Sequence, residues 1–109
     1  MSHTRGMQPT VYILTNAKRG TLYIGVTANP VSRILQHRRG EGSAFVRRYR
    51  LYRLVYVEQY PRITDAIERE KQLKAWRRAW KIGLIEQANP DWSELWPTPG
   101  VEPVDRGSA

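Results

Sequence analysis

The chain has no cysteine, which removes disulfide bridges, a thiolate nucleophile and any zinc–cysteine site. It has two histidines, His3 and His37, so a multi-histidine metal centre is excluded as well. A bound cation would rest on carboxylates and water, which favours one hard ion, Mg²⁺ or Mn²⁺. No apolar run approaches the roughly 20 residues of a membrane-spanning helix, and no apolar signal stretch follows Met1. The expectation is a cytoplasmic protein with no membrane partner. Acids are scarce in the first half. Residues 1–57 hold ten Lys and Arg against one acid, Glu41, a balance of +9, and residues 58–109 hold eight against nine, a balance of −1, giving the net +8 of the chain.

That basic excess calls for a polyanion, and nucleic acid is the commonest one. Most of the eighteen cations are arginine, whose planar fork suits phosphate better than lysine does. A solvated basic surface is the alternative reading of charge alone. The length of 109 residues fits one domain, and four tryptophans and six tyrosines supplement a modest apolar core.

Thr10 to Thr15 and Thr21 to Val26 read as strands, rich in β-branched and aromatic residues, joined by the hairpin loop Asn16 to Gly20. Asn29 and Pro30 open a short helix with the apolar stripe Val31, Ile34 and Leu35, which stops at Gly40. Ser43 caps a second short helix, Ala44 to Arg50, and Leu54 to Tyr60 is the third strand. Thr64 is expected to cap one long helix running to about Gln87, with a break near Gly83. Asn89-Pro90 ends it, and Asp91 to Trp96 forms a last turn. The order is β-β-α-α-β-α, an α+β fold in which helices must cover the sheet. Residues 1–9 read as a flexible extension, 10–96 as the domain and 97–109 as a disordered tail.

A few residues exceed what packing requires. Tyr12 and Tyr23 lie on paired strands, and their hydroxyls could orient or deprotonate water; common wet strand tyrosines are the plainer explanation. Gly25, inside a strand, marks a bulge or a close backbone approach, and Thr27 offers a hydroxyl nearby. Arg33 and His37 share a helix face at i,i+4, at the edge of the core, and suit phosphate and water; an exposed basic face running on to Arg38 is the alternative. Glu70 falls inside the stripe Ala66, Ile67, Leu73, Trp76 and Trp80, where a carboxylate is costly unless paired or metal-bound. A buried or half-buried salt bridge to Arg33 or Lys74 is the alternative reading. Arg47, Arg48 and Lys74 are phosphate-contact candidates, and Asn89 is a helix stop or an amide near the site.

The strings VYIL and TLYIGVT, then Arg33 and His37, then the Glu70 helix closely resemble the GIY-YIG nuclease family, in its small stand-alone bacterial branch. Tyr23-Ile24-Gly25 is literal, while Thr10-Val11-Tyr12 stands where GIY would be. The resemblance runs over roughly residues 10–95, through LVYVEQY, AIEREKQLKAW and WKIGLIEQANPDW. It implies a three-stranded antiparallel sheet flanked by helices, and hydrolysis of a phosphodiester with one divalent metal. It implies Glu70 as the metal ligand, Arg33 as the clamp on the scissile phosphate, Tyr12 and Tyr23 flanking the water, and His37 assisting. Gly25, Thr27, Arg38, Arg47, Arg48, Lys74 and Asn89 are then expected along the nucleic acid. Val26 stands where some relatives carry lysine, and residues 40–45 lack a second histidine that some carry. The expected function is a metal-dependent DNA endonuclease, with structure selectivity and a link to repair or recombination among the expectations. The other readings are a binding module on the same fold with little or no catalysis, and an RNA-directed nuclease. Protein partners are not legible.

Overall fold

The computed structural model describes residues 8–96. Of the extension expected over residues 1–9, residues 1–7 lie outside the described residues, as does the tail expected over 97–109. Three strands, β1 (Thr10–Thr15), β2 (Leu22–Thr27) and β3 (Arg53–Gln59), form an antiparallel sheet in the order β2-β1-β3. β1 is the central strand, and all six of its residues are buried. Its end threonines satisfy their hydroxyls locally, Thr10 donating to the Gln8 carbonyl at 2.7 Å and Thr15 to the Ala17 carbonyl at 3.0 Å.

Alternation along β1 divides the core in two, because successive side chains leave a strand on opposite faces. Val11 and Ile13 join Ile24, Val55, Ala66, Leu73, Ile85 and Trp92 on one face. Tyr12 and Leu14 join Ile34, Val46, Leu51 and Leu54 on the other. The helices α1 (Pro30–Arg38) and α2 (Ala44–Tyr49) supply the second cluster, and α3 (Ile63–Ala75) and α4 (Arg78–Ala88) supply the first. The caps expected from sequence form: Asn29 Oδ1 accepts from the Ser32 amide and Ser43 Oγ from the Val46 amide, each at 3.3 Å. A bulge in β3 leaves Val55 between Leu54, opposite Leu14, and Tyr56, opposite Ile13.

The α+β class and the three-stranded antiparallel sheet agree with the sequence, but the last helix does not. It is two helices, so the order is β-β-α-α-β-α-α. The break falls at Trp76 and Arg77, both extended, with φ/ψ of −70/153° and −66/154°. Trp76 packs against the first core cluster, and the turn lets α4 cross back so that Ile85 reaches the same cluster. Gly83 lies inside α4 with open space around it and breaks nothing. The helix cap also differs. α3 begins at Ile63, its N-cap is Arg62 without a side-chain bond, and Thr64 is already helical. β2 and β3 each shift by one residue from the expected bounds, and α2 ends at Tyr49 with Arg50 as a left-handed cap at φ 57°. Asp91 to Trp96 is no helical turn. It runs beside β3, where the Leu95 amide donates to the Leu54 carbonyl at 2.8 Å and Glu94 accepts from the Leu54 amide at 3.0 Å.

Candidate active site

Tyr12 and Tyr23 share the α1/α2 face of the sheet, since Tyr12 pairs with Gly25 and Tyr23 with Leu14 two positions along. Their ring centroids are 6.2 Å apart. His37, one helical turn after Arg33, completes a triangle of rings, 5.7 Å from Tyr12 and 5.4 Å from Tyr23. The Tyr12 hydroxyl and His37 Nε2 are hydrogen-bonded at 2.9 Å.

Two glycines make that contact possible. A Cβ on Gly25 would lie 2.4 Å from Cζ and the hydroxyl of Tyr12, so the tyrosine ring crosses the β2 backbone only because Gly25 has no side chain. A Cβ on Gly42 would lie 2.7 Å from His37 Nδ1. The loop between α1 and α2 therefore closes over the imidazole. Sequence reasoning marked Gly25 and passed over Gly42, whose only signal is a glycine two residues after Gly40 in a short interhelical loop.

Burial sets the electrostatics. His37 is 1% exposed, not at the core edge as its position on the helix suggests, and Nδ1 has no hydrogen-bond partner among the described residues. Desolvation, reinforced by the Arg33 charge, pushes the imidazole down to about 4, so it is neutral at pH 7. A neutral imidazole has one donor nitrogen and one acceptor, and the tautomer decides which of the two Nε2 presents to Tyr12. Burial also pushes the Tyr12 phenol up, helped by Tyr23 and Glu70, while Arg33 pulls the other way. Arg33 and Glu70 thus both act on the Tyr12 hydroxyl, one from α1 and one from α3.

Glu70 lies on the buried line of α3 between Ala66 and Leu73, with its side chain 12% exposed. Ile67 and Trp80, expected on the same stripe, are exposed, and Trp80 belongs to α4. Glu70 Oε2 is held by Lys74 Nζ at 2.7 Å, the ion pair that a helix makes at i,i+4. No group of three or more His, Cys, Asp or Glu stands together among the described residues. One half-buried carboxylate fits a Mg²⁺ or Mn²⁺ site that water and a substrate phosphate complete, and it does not fit an all-protein cage.

The remaining candidates separate. Arg33 donates to Gln36 Oε1 at 3.2 Å, and Thr27 Oγ1 accepts from the Asn29 amide at 3.0 Å, which fixes the turn into α1. Arg47 reaches the Gly40 carbonyl at 3.3 Å, and the Arg48 guanidinium lies 5.4 Å from the Tyr49 ring. Arg38 is bound to Glu94 at 2.7 Å and stacked over Trp96. Asn89 is buried, with Nδ2 donating to the carbonyls of Val55 and Ser93 and Oδ1 accepting from the Ser93 amide. Its amide ties the β3 bulge to the C-terminal end of α4 and is not brought to the tyrosines. Phe45, which the sequence did not single out, is in ring contact with Tyr23 at 6.4 Å. Its signal was an aromatic next to a cap in a helix otherwise rich in arginine.

The family model for the GIY-YIG catalytic domain matches residues 8–83. A UPF0213 protein of Staphylococcus aureus (strain N315) is 34% identical over 77 residues, which is 71% of this chain and 93% of that protein. A UPF0213 protein of Staphylococcus haemolyticus (strain JCSC1435) is 35% identical over the same length and shares. No solved structure matches significantly.

Proposed function

The chain belongs to the GIY-YIG catalytic-domain family, a nuclease family, and from that premise we propose that it is a divalent-metal-dependent endonuclease that hydrolyses phosphodiester bonds in DNA. The observation that carries the reading is the cluster on the tyrosine face: the Tyr12 hydroxyl is bonded to His37 Nε2 at 2.9 Å, Tyr23 completes the triangle of rings, and the charges of Arg33 and Glu70 are felt at the Tyr12 hydroxyl. In-line attack on a phosphodiester builds negative charge on the phosphate oxygens, and the Arg33 guanidinium is the side chain that holds them. A divalent ion on Glu70 would supply further charge stabilisation when bound. Tyr23 is partly exposed, while Tyr12 is 1% exposed. Tyr23 is therefore the tyrosine that meets and orients the attacking water, and Tyr12 with His37 forms the buried pair that holds it in place. The basic α1/α2 face supports a nucleic-acid substrate, and a role in repair or recombination is part of the same proposal.

A binding module with little catalysis draws support from one observation, the Lys74 ammonium on the Glu70 oxygen that a metal would need. Cleavage of labelled single-stranded, duplex, flap and junction DNA, with an RNA control, separates the two. Mg²⁺- or Mn²⁺-dependent cutting that stops with EDTA and falls by at least about a hundredfold in Glu70→Ala, with binding retained, is the expected result. Unchanged cutting by Glu70→Ala would refute the mechanism, and binding without cutting on every substrate would leave the module.

A further inference from the structure

We propose that Phe45 and Tyr49 of α2 form a stacking shelf for an unpaired nucleobase beside the reactive site, so that the strand bound there is single-stranded rather than continuous duplex. The proposal deepens the nuclease reading and rests on it for the position of the scissile bond. Both rings are open to solvent, Phe45 at 43% and Tyr49 at 40% exposure, although each is a large apolar surface. They are 4.8 Å apart, and Phe45 continues into Tyr23 at 6.4 Å. A line of rings therefore leads from the candidate site to the surface.

The shelf is built on rigid elements. Val46, 1% exposed, anchors α2 in the core, Ser43 caps its start, and Asn16 Nδ2 of the hairpin loop donates to the Tyr49 carbonyl at 3.4 Å. The rings need little ordering when a base arrives. The charge around them matches a strand. Arg47 and Arg48 lie on α2 and Arg50 caps it, and among the described residues none of the three has an ion pair. Arg48 lies over the Tyr49 ring at 5.4 Å, so a base that stacks on the shelf meets its open ring surface at Phe45 while the guanidinium offers its charge to the backbone phosphate. A base inside a duplex has both faces covered by its neighbours, whereas an unpaired base offers its face to an aromatic ring. Trp80 is also exposed, but it stands on α4, which packs on the opposite face of the sheet from the tyrosines.

The test is equilibrium binding of the full chain in EDTA to a short labelled DNA strand. The same strand as a duplex, the same strand with abasic positions, and RNA of the same sequence complete the set. The wild type binds the strand more tightly than the duplex and loses affinity for the abasic strand. Replacing either ring, Phe45→Ala or Tyr49→Ala, weakens strand binding by about tenfold, weakens duplex binding far less, and removes the distinction between normal and abasic strands. Phe45→Trp retains strand binding. The DNA and RNA strands show which sugar the unpaired base is carried on. Equal loss on strand and duplex, or a wild type indifferent to abasic positions, overturns the proposal. The abasic comparison needs no variant, so it decides even where an alanine variant is poorly folded. Because no cleavage occurs in EDTA, this result stands apart from whether Glu70 supports catalysis.

Discussion

A single missing methyl group sets the geometry of the site. Gly25→Ala places its Cβ 2.4 Å from the Tyr12 hydroxyl, and the backbone of β2 cannot retreat while it is paired to β1. The ring must swing away and the 2.9 Å bond to His37 must break. We expect Gly25→Ala to lower kcat/KM for cleavage by at least about tenfold and to destabilise the fold by about 1–3 kcal/mol; steady-state kinetics and a urea midpoint check both. His37 makes a prediction of opposite kind, about pH. Its folded value is depressed to about 4 by burial and then by Arg33, while a free imidazole titrates near 6.5. Below 6.5 the unfolded chain takes up a proton that the folded chain refuses, so stability is full above that pH and is lost as pH falls towards 4. Urea midpoints at pH 7 and pH 5 should fall more for the wild type than for His37→Asn. Equal falls would mean that the imidazole is not buried neutral. Glu58, held down by Arg69, Tyr56 and Tyr60 against its own desolvation, loses stability in the same direction but through the carboxylate range, and both proteins share it.

Among the elements, the division between α3 and α4 carries the most consequence. It places Glu70 on a helix that packs against β2 and β1, and lets α4 turn back towards β3. A half-buried ion pair steadies the same helix. Arg69 donates twice to Glu58, at 2.9 and 3.0 Å, and the carboxylate also accepts from Tyr56 at 2.5 Å and Tyr60 at 2.6 Å. The break itself has backbone angles that proline adopts. Arg77 has φ −66°, and Trp76 before it is extended, as the residue preceding proline prefers to be. Arg77→Pro should therefore be neutral or stabilising by about 0.4–1 kcal/mol. In one continuous helix the same change would cost about 3 kcal/mol or more. Denaturant unfolding distinguishes the two outcomes directly.

For the molecule as a whole, what matters is where the cations end up unpaired. Lys74, Arg69 and Arg19 meet Glu70, Glu58 and Glu86, and Arg38 and Arg39 meet Glu94 and Glu41. Arg33, Arg47, Arg48 and Arg50 have no ion pair among the described residues and stand on α1, α2 and the α2 cap, on the tyrosine side of the sheet. Lys18 and Arg53 are the other first-half cations without an ion pair among the described residues, so four of six stand on the face that carries the candidate site. If these four arginines contact phosphates, the logarithm of the binding constant for single-stranded DNA should fall with the logarithm of salt concentration at a slope of about −3. A Glu70→Ala protein titrated over a range of salt measures it, and a flat response would exclude this face as the binding surface.

The sequence by itself determined the hairpin, the two capped short helices and the third strand, because β-branched alternation and Asn or Ser caps act locally. It also marked the five candidate residues, since a glutamate in an apolar stripe and an Arg-His pair at one turn are visible without coordinates. It did not show that the last helix breaks at Trp76. Helical periodicity continues through Arg77, and only the packing of Trp76 and Ile85 onto one cluster requires the turn. Nor did it show that Asn89 binds the β3 bulge, that Arg38 is taken by Glu94, or that His37 is sealed beneath Gly42. Each of these depends on contacts between residues distant in sequence or on the close approach of a loop, and local propensity contains no information about which groups a fold will desolvate together.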